Sequence, residues 1–184
     1  IGLIVFAEVG LLLGFFLPGD TLLIAAGILT AGGKMDLAAL LAVVTVCAIA
    51  GDHTGYWIGH HLGPRLFRKQ DGIIFQKSHI ERSEKFFAKH GSKTLLISHF
   101  LPFIRTFTPL LAGAGKMTYK SFALFNAIGD IAWAIGVTLL GYFVGSKIPN
   151  IDHYIMLVIG SVVVFALASP IVHLIQRKLK QNDN

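Results

Sequence analysis

Phe16-Leu17-Pro18-Gly19-Asp20 and Phe100-Leu101-Pro102-Phe103-Ile104-Arg105 are two apolar stretches broken by proline, each with an ionisable residue beside the break. Each is followed by a similar close, Gly33-Lys34-Met35 and Gly115-Lys116-Met117. Proline ends or kinks a helix because it lacks an N–H and its ring clashes with the preceding turn. Broken helices that hold ionisable groups inside apolar sequence, at corresponding places in two halves of a chain, point to the central site of a membrane transporter. The two tripeptides align with the two breaks only through a small gap, so the repeat signal taken alone is modest.

Composition supports this reading. Of 184 residues, 54% are hydrophobic and 14% charged, and the mean hydropathy is +0.67. Soluble domains carry about a quarter charged residues, so the chain reads as an integral membrane protein. Residues 1–184 suit a single membrane domain. The chain opens on Ile1 rather than Met, so a preceding piece is expected. The formal charge of +6 is explained by the positive-inside bias of membrane proteins, and no nucleic-acid partner is expected. Cys47 stands alone in an apolar run and reads as a packed thiol.

Working outward from the breaks gives the organisation. Residues 2–17 are apolar apart from Glu8, and residues 21–31 resume the apolar pattern after Pro18-Gly19. Neither half reaches the ~20 residues a spanning helix needs, so residues 1–35 read as a re-entrant hairpin. Residues 37–63 read as a spanning helix that starts after an Asp36 N-cap and ends at Gly63-Pro64. Residues 64–93 are basic, and Ser78–His90 reads as an interfacial amphipathic helix. Residues 94–117 form a second hairpin, broken at Pro102 and Pro109. Residues 119–146 and 154–176 read as two further spans. The fold class is therefore all-α and membrane-embedded, with two inverted re-entrant hairpins and about three full spans.

Tracing the chain across the membrane puts the two hairpins on opposite faces. All Lys and Arg except Lys34, Lys147 and Arg105 then collect on one side. That side is expected to be cytoplasmic, together with the basic linker and the C-terminus.

Glu8, Asp20, Asp52, His99, Arg105 and Asp130 fall in apolar segments. Each charge there costs about 2.5–3.5 kcal/mol by insertion scales, so it persists where it pairs or faces water. An internal ion pair that only holds the hairpins together is the structural reading. The functional reading starts from the broken helix ends, whose free N–H groups and positive dipole attract an oxyanion. Arg105 beside them suits phosphate because its planar fork binds at two points. Glu8 or Asp20 could carry a proton through the cycle. Asn126 and Asp130 on the 119–146 span, and Asp52, are secondary candidates.

Asp52, His53, His60 and His61 lie near one face of a helix. Rim histidines are the commoner explanation and there is no zinc signature, so no metal is expected. Trp57, Tyr56, Tyr142, Tyr154, Tyr119 and Phe122 read as an aromatic belt. Gly136, Gly141 and Gly145 read as close-packing positions. No nucleotide loop, nucleophile elbow or zincin motif is present, so neither an enzyme nor a cofactor is expected.

These residues resemble the DedA family, also described as VTT-domain or SNARE-associated-Golgi-like membrane proteins. The resemblance covers nearly the whole chain. It rests on Glu8 with Phe16-Leu17-Pro18-Gly19-Asp20, Gly51-Asp52 with Gly55-Tyr56, and Lys89-His90-Gly91. It continues through Phe100-Leu101-Pro102-Phe103-Ile104-Arg105-Thr106 with Pro109, Ala112-Gly113 and Met117, then Phe122, Asn126 and Trp133. It implies two inverted re-entrant hairpins and a role in lipid translocation. Family members include transporters that return undecaprenyl phosphate across the cytoplasmic membrane, and others linked to phosphatidylethanolamine or to lipid scrambling. The family's two functional acids fall on Glu8 and Asp20, and its second arginine on Arg105. Its first arginine is replaced by His99, which could bind phosphate when protonated.

The expected function is a flippase that recycles undecaprenyl phosphate in a bacterial cytoplasmic membrane, coupled to the proton gradient. Arg105 and His99 would bind the phosphate, and Glu8 and Asp20 would exchange protons. The partners are an anionic polyprenyl phosphate or phospholipid, membrane lipids and protons; a homo-oligomer is compatible with the sequence. The alternatives are a phosphatidylethanolamine flippase or scramblase, and a proton-coupled cation antiporter.

Overall fold

A computed structural model describes residues 1–10, 19–66, 91, 93–148 and 160. The first proline break at Pro18, the interfacial helix expected over 78–90 and, apart from Gly160, the span expected over 154–176 lie outside them. The described residues form helices without strands: α1 (Gly2–Gly10), α2 (Gly19–Ala31), α3 (Leu37–Leu66), α4 (Thr94–Ser98), α5 (Pro102–Ala114) and α6 (Tyr119–Ser146).

Two of these, α3 over Leu37–Leu62 and α6 over Tyr119–Ser146, are long and apolar enough to cross a membrane. The expected N-cap of α3 is present: the Ala39 N–H donates to Asp36 Oδ1 at 2.7 Å. The helix runs to Leu66 rather than stopping at Gly63. Pro64 forfeits one helical bond there, near a helix end, where the loss is small. Helices α2 and α5 have 13 residues each. At about 1.5 Å per residue each spans about 20 Å, short of the ~30 Å hydrocarbon core.

The second break is described and differs from expectation in one respect. Helix α4 ends at Ser98, Leu101 is extended, and Pro102 opens α5 in the first turn, where a missing N–H costs nothing. Pro109 does not break the chain; it lies inside α5. An interior proline costs about 3 kcal/mol. Packing offsets that cost, because Pro109 is fully buried and faces Gly55 of α3.

Helices α2 and α5 each pair closely with the long helix of the other half. Helix α2 lies along α6, and α5 along α3. Glycines set both approaches. A Cβ on Gly27 would stand 2.3 Å from Thr138 O, and one on Gly141 2.2 Å from Ile24 O. Across the other pair, a Cβ on Gly59 would stand 2.1 Å from Leu110 O, and one on Gly113 2.1 Å from Tyr56 O. Backbone meets backbone at both seams, as small residues permit in membranes. Gly145 joins the first seam, whereas Gly136 faces open space.

The two closes are the same motif in different registers. Lys34 N–H donates to Leu29 O and Gly33 N–H to Thr30 O; Met117 N–H donates to Ala112 O and Lys116 N–H to Gly113 O. Both are Schellman caps. The left-handed position is Gly33 (φ 69°) in one and Lys116 (φ 53°) in the other. The structural equivalence is therefore Gly33 with Lys116, one residue away from the alignment of the Gly-Lys-Met tripeptides.

The exterior is apolar: Leu3, Val46, Ile97, Phe100, Leu124, Leu140 and Phe143 are exposed. Glu8, Asp52, His99, Arg105, Asn126 and Asp130 are buried. This inversion of the soluble pattern is what a lipid solvent demands. Tyr56 and Phe122 leave the expected belt. They stack with centroids 4.5 Å apart, and Tyr56 O–H donates to Met117 O at 2.5 Å, tying α3 to the end of α5.

Candidate functional site

Two buried clusters, each one basic side chain with two carboxylates, sit where the helices meet. The first gathers on Arg105, in the first turn of α5. Its Nη2 donates to Glu8 Oε1 of α1 at 3.0 Å, and its Nη1 to Asp20 Oδ1 of α2 at 3.2 Å. The indole of Trp133, on α6, lies beneath the guanidinium at 3.8 Å from Cζ to ring centroid. The same indole donates from Nε1 to Asp20 Oδ1 at 3.0 Å. Four helices thus contribute to one site. A cation stacked on a desolvated Trp gains about 2 kcal/mol, and the fork splits between the two acids.

Local sequence explains the meeting. Asp20 stands in the first turn of α2, where the helix dipole favours a carboxylate. Gly19, just before it, makes room for Glu8: any Cβ there would overlap Glu8 Oε2. Among the described residues Glu8 Oε2 and Arg105 Nε have no hydrogen-bond partner. Buried polar atoms are rarely left so, which marks a site with unused bonding capacity. The cluster is open on one side. The Asp20 side chain is 37% exposed, against 3% for Arg105 and 6% for Glu8.

The second cluster gathers on His99, in the break between α4 and α5. Its Nδ1–H donates to Leu95 O at 2.7 Å. Its Nε2 faces Asp52 Oδ2 of α3 and Asp130 Oδ1 of α6, both at 3.3 Å. Asn126 donates from Nδ2 to Asp130 Oδ2 at 2.8 Å. A Cβ on Gly129 would stand 2.5 Å from His99 Nδ1, so that glycine admits the ring. Every side chain of this triad is closed off, with 1% exposure for His99, 0% for Asp52 and 2% for Asp130.

The expected site residues therefore come together in two groups. Arg105, Glu8 and Asp20 meet as anticipated, beside the start of α2 at Gly19. His99 stands in the other group, with Asp52, Asp130 and Asn126, and both its ring nitrogens are engaged. Of the breaks, Pro102 begins α5, and Gly19 is the first described residue of α2. His53 and His61 turn Nδ1 to the carbonyls of Ile49 and Trp57 on their own helix, away from Asp52.

Trp133 was not anticipated as a site residue. Asn126, Asp130 and Trp133 fall at i, i+4 and i+7, one face of α6, and that stripe carries the signal. The His99 triad also had a signal. The dipeptides Gly51-Asp52 and Gly129-Asp130 recur in the two long helices, and each supplies one acid to the histidine.

Comparison with known proteins supplies the family. The VTT domain model matches residues 17–143. The Escherichia coli protein DedA is 38% identical over 178 residues, covering 96% of this chain and 81% of its own length. An uncharacterized membrane protein of Mycobacterium leprae is 43% identical over 143 residues, covering 78% of this chain and 64% of its own. The E. coli inner membrane protein YqjA is 35% identical over 183 residues, covering 95% of this chain and 82% of its own. No solved structure matches. With a domain match over most of its length and relatives aligned across nearly all of it, the chain belongs to the DedA family of VTT-domain membrane proteins.

Proposed function

We propose that this chain is a lipid transporter of a bacterial cytoplasmic membrane that moves an anionic phosphate-headed lipid, undecaprenyl phosphate being the best fit. The family is one of membrane transporters or flippases, and the site reads as a transporter's rather than an enzyme's. Arg105 is the phosphate partner. Glu8 and Asp20 are the proton-exchanging acids.

The observation that carries this reading is the split fork of Arg105, shared between a closed carboxylate and a half-exposed one. A phosphate entering past Asp20 competes with both acids for the same N–H groups. A carboxylate that loses its cation inside a membrane is costly, and a proton is the simplest cover. Phosphate binding and proton uptake are then one event, and the substrate's departure reverses it. The polyprenyl tail stays in lipid along the apolar exterior. His99, the other expected phosphate partner, is sealed from the exterior and faces two acids, so the proposal assigns the headgroup to Arg105.

A second reading rests on the acids beside Arg105. A zwitterionic headgroup could place its phosphate on Arg105 and its ammonium on Asp20, which suits phosphatidylethanolamine.

Native mass spectrometry of the purified protein separates them. Undecaprenyl phosphate, phosphatidylethanolamine and phosphatidylglycerol are offered to wild type and Arg105→Ala. Preferential binding of undecaprenyl phosphate, lost in the variant, is expected. Preferential phosphatidylethanolamine binding supports the second reading. Equal binding of all three, insensitive to Arg105, contradicts both.

A further inference from the structure

The His99 triad is not used by the lipid site, and one donor atom from each of its residues lies close enough to share an ion. We propose that Asp52, His99 and Asp130 bind one divalent transition-metal ion, of the zinc class, which clamps α3, α6 and the α4–α5 break together.

The argument begins with distances. An imidazolium held by carboxylates makes charge-assisted bonds of about 2.7–2.9 Å. Here both Nε2–oxygen separations are 3.3 Å. Ligands about 2.0–2.1 Å from a tetrahedral zinc lie about 3.3–3.4 Å from one another. One donor atom from each of the three residues also falls within a 4.8 Å group.

The histidine is set for coordination. Its Nδ1–H is committed to Leu95 O, which leaves the Nε2 lone pair aimed between the two carboxylates. Ligating histidines almost always donate their other ring N–H in this way. The Asn126 amide holds Asp130 Oδ2, so Oδ1 is presented, a second outer bond of the same kind. Asp52 Oδ1 and Asn126 Oδ1, on residues with no exposure, have no partner among the described residues. Asp52 Oδ1, on a carboxylate that already faces the histidine, is an oxygen donor for a fourth position.

Charge points the same way. Two carboxylates and a neutral imidazole carry −2 in a sealed, apolar setting, and a divalent ion makes the group neutral. One imidazole with two carboxylates suits zinc or cobalt; magnesium and calcium prefer all-oxygen shells.

Cobalt is the probe. The detergent-purified chain is stripped with chelator, titrated with Co2+ and then Zn2+, and metal content is measured by mass spectrometry. Asp130→Asn and His99→Arg are run beside wild type, with a His60→Ala/His61→Ala control for surface binding. Thermal melting checks folding. His99→Arg replaces the nitrogen ligand by a fixed cation, and its melting curve reads whether it folds without metal. The expected result is one Co2+ per chain with the visible bands of tetrahedral cobalt, displaced by Zn2+, retained in the surface control and reduced at least tenfold in both triad variants. Wild type that takes up no metal, or a folded His99→Arg that retains it, overturns the proposal. In the first case the triad is held by protons on His99 and one acid.

Discussion

The two clusters share one formula, a basic side chain between two carboxylates, and differ in everything that decides use. Arg105 is permanently charged, and one of its acids, Asp20, is 37% exposed. His99 can be neutral, and neither of its acids exceeds 2% exposure. A fixed charge with an open flank can exchange one anion for another. A sealed triad can only keep its ion or give up its fold. Helix α6 serves both, through Asp130 in one and Trp133 in the other, a single turn apart. Under the two proposals, similar chemistry in two solvent settings serves exchange in one cluster and clamping in the other.

Arg105→Ala should break the comparison hardest. It leaves Glu8 buried without its cation, a loss of about 3–5 kcal/mol. Transport in proteoliposomes should fall to that of protein-free vesicles, with a lowered melting temperature. Arg105→Lys keeps the charge and should fold, but without the planar fork it should lose about tenfold in affinity for undecaprenyl phosphate. Equal affinity would mean the fork is not what reads the phosphate.

Glu8→Gln and Asp20→Asn sharpen the exchange argument. Each removes a competitor for the guanidinium, so phosphate-lipid affinity should rise about tenfold, or about 1.4 kcal/mol, while transport slows and stops responding to a pH gradient. Weaker binding in both variants would show that the acids help to hold the lipid.

Trp133→Phe tests the shared helix. It keeps a ring beneath Arg105 and removes the Nε1–H bond to Asp20. About 1 kcal/mol of stability should be lost, read by thermal melting with lipid binding largely retained. The smallest effect concerns the two helix closes, after α2 and after α5. Lys116 holds the left-handed position that Gly33 holds in the first close. Lys116→Gly should therefore stabilise by about 0.5–1 kcal/mol, with transport unchanged.

Much of this was legible in the sequence. Lipid exposure follows from composition. The N-cap at Asp36 and the helix start at Pro102 follow from backbone chemistry, and the pairing of Arg105 with a carboxylate follows from the cost of a lone charge in lipid. Three features were not legible, for separate reasons. Pro109 reads as a breaker locally, but tertiary packing against Gly55 outweighs propensity. The equivalence of Gly33 with Lys116 is set by φ and cap bonds, which residue names conceal. The His99 triad depends on three segments converging, and spacing along one helix directs attention to His53, His60 and His61 instead.

The central claim is that phosphate and the two acids compete for Arg105. The most direct measurement is proton uptake on lipid binding, read with a pH indicator in weakly buffered detergent as undecaprenyl phosphate is added to wild type and to the Glu8→Gln/Asp20→Asn double variant. The account predicts proton uptake in wild type and loss of that uptake in the double variant, which still binds the lipid. Saturating lipid binding by wild type with no proton taken up would contradict it.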